Sequence, residues 1–306
     1  MKKKGSKGKV PAGDSSMRWL KRENFGSRLV LLWMAFFAGL VVAAFASVVA
    51  SRLVAGLGDK AVVSAQIMLQ DLLVFIMPAY VTARFACGKP MRFLRAETAP
   101  TWRAVVFVAL LLALLLPCLN YITWLNESVT LPDSMASMER WMRATEDAAR
   151  QVTEMLLAGN SLAAMLGCVL LIGVLTGLSE EAFFRGALMN VLARRQVNRH
   201  VCVWFVALIF SVLHFQFYGF VPRLLLGAIF GYAVIWSGSL WTAVIAHALN
   251  NSVVVVSDYL MSGGMIGTDI DTVGVPESGA FPALAVMSAL LSCLLIRHRG
   301  WFFPSK

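Results

Sequence analysis

Eight apolar runs divide this chain, at 29–50, 62–83, 104–124, 160–178, 201–215, 223–236, 240–256 and 279–296. A helix needs about 20 mostly apolar residues to cross a bilayer, and four of these runs approach or exceed that length. The pattern therefore predicts an all-α fold, a polytopic transmembrane helical bundle of about eight spans. The sixth run is short and contains Gly227 and Gly231, so its ends are weakly marked. Composition agrees: 14% of the residues are charged, against roughly 25% in a soluble domain.

The net charge of +10 would suit nucleic acid, but its distribution argues against such a partner. Nine of the 27 Lys and Arg residues lie in the first 28 positions, and most others fall in short stretches between apolar runs. With eight spans, 1–28, 84–103, 185–199 and 297–306 share one side and carry 21 basic residues, against six on the other. Basic residues concentrate on the cytoplasmic side of membrane proteins, which predicts N-inside and C-inside. The basic start and "AFAS" imitate a signal peptide. The 22-residue run 29–50 is long enough to span, so an uncleaved first helix is expected.

The expected organisation has four parts. Residues 1–28 form a basic, disordered cytoplasmic N-terminus. Residues 29–159 hold N-terminal transmembrane helices plus an extracytoplasmic amphipathic segment. A core follows at 160–256, and then an extracytoplasmic loop, the last transmembrane helix and a basic tail at 257–306. Within 126–159, Met135, Met138, Met142, Ala149, Val152 and Leu156 recur at helical spacing after "LPDS". That predicts an amphipathic helix on the membrane surface, capped by Asp133 or Ser134. The five cysteines have no CxxC pairing and read as small buried hydrophobes.

Charge inside hydrocarbon costs roughly 2.5–3.5 kcal/mol per residue on insertion scales, so an intramembrane acid is a functional candidate. "SEEAFFRG" supplies Glu180, Glu181 and Arg185; "FSVLHFQFYG" supplies His214; "AHALNNSV" supplies His247 and Asn251. Glu181 and Arg185 stand four apart with the acid first, the favourable order for an ion pair on one helix face. Glu180 is turned about 100° away and stays free. His247 and Asn251 share a face. Glu180 precedes Arg194 by 14 residues and His214 follows His200 by 14, which sets both about 20 Å from a common boundary. A straight helix over 160–195 would be about 54 Å long, so a break, strong tilt or re-entrant turn is expected near Gly177–Ser179.

A carboxylate, two imidazoles and a carboxamide in one cavity suit hydrolysis. The carboxylate takes a proton from water, an imidazole positions that water or protonates the leaving amine, and the amide donates to an oxyanion. Glu180, His214 and His247 are equally a zinc ligand set, and without HExxH the metal stays open. Asp71, beside Gln66 and Gln70, is either an interhelical hydrogen-bond partner or a proton or substrate contact. His200 and His298 adjoin arginines and are assigned no role. "FYGFVPR" reads as a turn at the membrane edge, with Pro222 and Arg223 anchoring the next helix.

The three motifs "EEAFFR", "FSVLH" and "HALNN", in this order, resemble the CAAX protease and bacteriocin-processing (CPBP) family of intramembrane proteases. This family, also called Abi-like, includes the type II CAAX prenyl endopeptidases. The resemblance covers roughly 160–256 and implies a membrane-embedded endopeptidase. It implies that Glu180 is the base activating water and His214 its partner on that water. It implies an oxyanion-stabilising pair in His247 and Asn251, with Glu181 and Arg185 in support. The family carries a metalloprotease label, and its site is also described as a glutamate-activated water without metal. The implied partners are a protein or peptide substrate at the membrane and the bilayer itself, and the lysine-rich start suits a bacterial inner membrane. Two other readings stay open: a non-catalytic scaffold or immunity-type protein of the same fold, and a transporter with Glu180 and Asp71 as proton relays.

Overall fold

The computed structural model describes residues 25–159, 161–193, 197–267, 269–276 and 281–303. Arg194, Arg195 and the first 24 residues lie outside the described residues. So does the end of the basic tail. Among the described residues there are helices and no strands. Six helices are long and apolar enough to cross a membrane: α1 (Phe25–Leu57), α2 (Asp59–Cys87), α3 (Trp102–Glu127), α5 (Leu162–Ala193), α7 (Phe220–Ser237) and α8 (Leu240–Ser262). Two shorter apolar helices, α6 (Arg199–Val212) and α9 (Phe281–Arg297), complete the bundle. The polar α4 (Ala136–Leu157) lies between α3 and α5.

Local chemistry explains the helix ends. Thr101, Ser161 and Asn198 accept the N–H groups of Ala104, Ala164 and His200 at 3.2, 3.2 and 2.8 Å, quieting the orphan donors of α3, α5 and α6. Gly88 and Gly238 end α2 and α7 at φ 71° and 73°, a left-handed conformation that glycine adopts without strain. α4 starts differently from expectation. A 3-10 turn over Asp133–Met135 precedes it, and Met135 stands at the cap without a side-chain bond. Glu139, in the first turn of α4, instead ties down the preceding chain, accepting the Leu131 N–H at 2.9 Å, and pairs with Arg143 at 2.7 Å. Those bonds hold the Glu139 carboxyl below its ordinary value.

Residues from Phe25 onward are helical in α1, and Arg28 is buried, donating to the Ala86 carbonyl at 3.1 Å. Of the cysteines, Cys168 and Cys202 are buried, whereas Cys87 and Cys293 are exposed.

Of the break, strong tilt or re-entrant turn expected near Gly177–Ser179, neither a break nor a re-entrant turn occurs. α5 runs without interruption, and its six-residue α segment Thr176–Glu181 is bracketed by π segments at Val169–Leu175 and Ala182–Leu188. A π turn adds a residue to the helical repeat and recurs at functional sites. α2 carries a third, at Asp71–Ile76, packed against α5. There Asp71 is buried and accepts Thr176 Oγ1 at 2.9 Å and Ser179 Oγ at 2.8 Å. Of its two readings, this is the interhelical one.

α8 approaches α5 closely along Gly173 and Gly177. A Cβ on Gly177 would stand 3.2 Å from the Ala248 backbone nitrogen, and one on Gly173 would strike Ser252 Oγ at 2.4 Å. Small residues four apart let membrane helices touch in this way. Gly177→Val is expected to destabilise the bundle by about 1–3 kcal/mol, the usual cost of overpacking. Thermal unfolding in detergent, with Gly26→Val at an open position as control, measures this; equal midpoints would contradict the packing described.

Candidate active site

Four helices converge on one buried ion pair. Arg185 Nη1 donates to Glu181 Oε1 at 2.7 Å, and neither side chain is exposed at all. Arg185 Nη2 donates to the Gly227 carbonyl of α7 at 2.7 Å. Its guanidinium lies 4.6 Å from the ring of Phe210, 5.4 Å from that of Phe230 and 5.9 Å from that of Phe184. Aromatic faces attract a desolvated cation, which gives the apolar neighbours of this arginine an electrostatic role.

Glu181 has a second client. His247 Nδ1 lies 2.9 Å from the same Oε1, and its ring stacks on Phe230 at 4.9 Å and 19°. With Nδ1–H donating to the carboxylate, the imidazole is fixed in orientation and its Nε2 faces the other way. There it meets Glu180, whose Oε2 is 3.9 Å distant.

His214 reaches the same oxygen from another direction. α6 ends at Val212, so His214 lies just beyond the helix, where Phe215 turns the chain at φ 53°. His214 Nδ1 lies 2.7 Å from the Phe210 carbonyl, which selects the tautomer with the proton on Nδ1. Its Nε2 is 3.9 Å from Glu180 Oε2. The spacing in "FSVLH" has a double use, since Phe210 orients the imidazole through its backbone and covers Arg185 with its ring.

Glu180 is only 7% exposed, and its Oε2 has no hydrogen-bond partner among the described residues. It faces a cavity of about 670 Å³, also lined by His214, His247 and Asn251. A separation of 3.9 Å exceeds a direct hydrogen bond, and at such a distance a water can mediate between the groups.

Asn251 has a further duty. Its Nδ2 donates at 3.0 Å to the Ile172 carbonyl, which the first π segment of α5 presents. All six residues singled out in the sequence thus belong to one connected site, with Glu180, His214, His247 and Asn251 at the cavity and Glu181 and Arg185 behind.

Glu180, His214 and His247 are zinc-type donors, but as placed they stand wider apart than around a tetrahedral zinc ion. Bonds of about 2.0–2.1 Å at tetrahedral angles bring donors to roughly 3.3–3.4 Å of one another, and both imidazoles stand farther from Glu180. No group of three or more His, Cys, Asp or Glu side chains able to hold a metal occurs among the described residues.

Residues missed in the sequence complete the cavity. Glu127, Glu146, Asp271 and Arg223 line it, and Glu146 comes from α4. α4 is clamped to the turn between α6 and α7: Glu146 Oε2 accepts the Tyr218 N–H at 3.3 Å, and Trp141 packs on Phe217 at 5.2 Å. Asn126 of α3 holds the same turn through the Phe217 and Tyr218 carbonyls. The surface helix is therefore also part of the cavity wall. Arg223, expected as a membrane-edge anchor, lines the cavity and donates to Gln216 Oε1 at 2.5 Å.

Removing one member of a buried ion pair strands the other, at a cost of about 3–5 kcal/mol. Arg185→Met is therefore expected to lose more stability than Arg185→Met combined with Glu181→Gln. Denaturation midpoints of both variants test the order; a double variant less stable than the single one would contradict it.

Residues 162–253 match the family model for the type II CAAX prenyl endopeptidase Rce1-like domain. The matched stretch runs from the start of α5 into α8 and contains all six site residues. Neither a curated protein nor a solved structure matches the chain.

Proposed function

With residues 162–253 as an Rce1-like CAAX endopeptidase domain, we propose that this multi-pass membrane protein hydrolyses a peptide bond in a membrane-associated protein or peptide through a water activated by Glu180. The observation that carries this reading is Glu180 Oε2, buried, without a hydrogen-bond partner among the described residues, and 3.9 Å from two imidazole Nε2 atoms.

In the proposed reaction, water held between Glu180 and the imidazoles loses a proton to the Glu180 carboxylate as its oxygen attacks the scissile carbonyl carbon. The carbonyl electron pair moves onto oxygen. Asn251, which keeps one amide N–H beyond that given to Ile172, and a protonated His247 donate to the resulting oxyanion. His214 holds the water in line for that attack; collapse then breaks the C–N bond, and the proton on Glu180 passes to the departing amine. Glu181 and Arg185 touch no reacting atom in this scheme. They hold His247 in place, and Arg185 keeps the second carboxylate neutralised so that Glu180 is the free base.

The basic residues near the N-terminus and at one end of the bundle support a bacterial inner membrane with both termini in the cytoplasm. The cavity would then open on the opposite side, where α3 ends and α7 begins.

The test is cleavage by the purified full chain in liposomes of quenched fluorogenic peptides, including prenylated Cys-aliphatic-aliphatic-X C-termini chosen from the family description. Glu180→Gln is expected to lower turnover on the order of 10²–10⁴-fold, the range of general-base catalysis, with an unchanged unfolding midpoint. Turnover equal to the parent protein would overturn the assignment of Glu180.

A further inference from the structure

The end of the bundle remote from Glu180 carries a second cavity, of about 680 Å³, that the proposed reaction does not use. The turn between α2 and α3 lines it with Lys89, Arg92 and Arg95, and α5 contributes Asn190. Among the described residues no carboxylate lines it, and none of the three cations makes an ion pair. Like charges gathered in a recess repel one another and call for an anion.

Arg95 is held there at a conformational cost. A helical turn over Pro90–Phe93 is closed by Ala96 N–H to the Met91 carbonyl at 2.8 Å and Arg95 N–H to the Arg92 carbonyl at 3.2 Å. Arg95 sits in the left-handed position of that closure, φ 58°, where glycine is the unstrained residue. The arginine side chain is used: Nε donates to Asn190 Oδ1 at 3.1 Å. Asn190 is itself buried and held, donating to the Phe93 carbonyl at 2.9 Å and the Gly186 carbonyl at 2.7 Å. The Nε bond aims the guanidinium and leaves both terminal nitrogens without a hydrogen-bond partner among the described residues. Burial lowers the guanidinium from its ordinary value, and no neighbouring carboxylate offsets the effect.

Two tryptophans flank this end of the bundle. Leu240 N–H donates to the Arg95 carbonyl at 3.0 Å, and Trp241 Nε1 to the Ala96 carbonyl at 2.9 Å. Trp102 is exposed at the start of α3 with Arg103 over its ring at 5.6 Å. Tryptophans of this kind mark the boundary between hydrocarbon and water.

We propose that Lys89, Arg92 and Arg95, the last aimed by Asn190, form a binding site for a phosphate group, carried by an anionic lipid headgroup or by a soluble phosphate. An arginine fork matches two phosphate oxygens at once, and basic pockets between membrane helices bind anionic headgroups.

Native mass spectrometry of the full-length protein in detergent tests this, with dioctanoyl phosphatidylglycerol, dioctanoyl phosphatidylcholine and inorganic phosphate as probes. Saturable retention of phosphatidylglycerol over phosphatidylcholine is expected. Arg95→Gly, which removes the guanidinium and relieves the backbone, and Lys89→Ala/Arg92→Ala are each expected to weaken retention on the order of tenfold. Displacement by excess inorganic phosphate identifies the phosphate group alone as the ligand; retention despite it identifies the lipid. Equal retention of the two lipids, with no binding of inorganic phosphate, would overturn the proposal. So would unchanged binding in both variants, and should Arg95→Gly fail to fold, the double variant decides alone.

Discussion

The structure turns on a single buried charge pair. Glu181 and Arg185 are both removed from solvent, and such a pair is tolerated only where surrounding contacts offset its desolvation; Glu181 Oε1 and both terminal nitrogens of Arg185 are hydrogen-bonded, whereas Glu181 Oε2 and Arg185 Nε have no such partner among the described residues. Four helices supply the contacts that are made. α5 carries both charges, α6 lays Phe210 over the cation, α7 offers the Gly227 carbonyl and the ring of Phe230, and α8 brings His247 to the shared oxygen. Because each contact is directional, the pair fixes the relative placement of all four helices. The position of Glu180 then follows from its neighbour: one step along α5, it is turned out of the network and into the cavity, beside imidazoles that the network has already aimed.

Much of this site could be read from sequence because hydrocarbon makes polar residues conspicuous. Glu180, Glu181, Arg185, His214, His247 and Asn251 stand out against apolar runs, and helical spacing alone pairs Glu181 with Arg185. What could not be read is mostly tertiary. Nothing in "VLLIGVL" or "AFFRGAL" distinguishes a π turn from an ordinary one, so the length of the 160–195 segment pointed to a break where the helix in fact continues. The Ile172 carbonyl that accepts from Asn251 is presented by one of those turns and was equally hidden. His214 falls within the apolar run 201–215 and reads as a helical residue, yet it sits past the helix end and is held by the Phe210 carbonyl.

Other signals were present and unread. "GVLTG" at 173–177 places small residues four apart, and this is the face on which α8 rests. Glu146 lay on a helix recognised as amphipathic, but sequence does not tell which polar residue of a surface helix turns inward. Residue types alone leave zinc open, and the structure adds that the acid stands 3.9 Å from both rings, which sequence does not give.

The two ends of the bundle differ in chemistry as well as in shape. Around the cavity, Glu127, Glu146 and Asp271 face Arg223, whereas the far end gathers arginine and lysine with no acid in the recess among the described residues. α5 connects them, with Thr176 and Glu180 toward one and Asn190 toward the other.

The contact of Asp71 with Thr176 and Ser179 bears on where the working unit ends. The family match begins at residue 162, but α2 supplies the carboxylate that receives two hydroxyls of the helix bearing the acids. Phe36 and Trp33 of α1, with Phe75 of α2, enclose Phe183 two residues beyond Glu181. A fragment cut at the homology boundary would lose both supports and present that aromatic nest to acyl chains. The matched segment is thus a unit of descent and not an autonomous module, and chimeras that transplant it should carry α1 and α2 along.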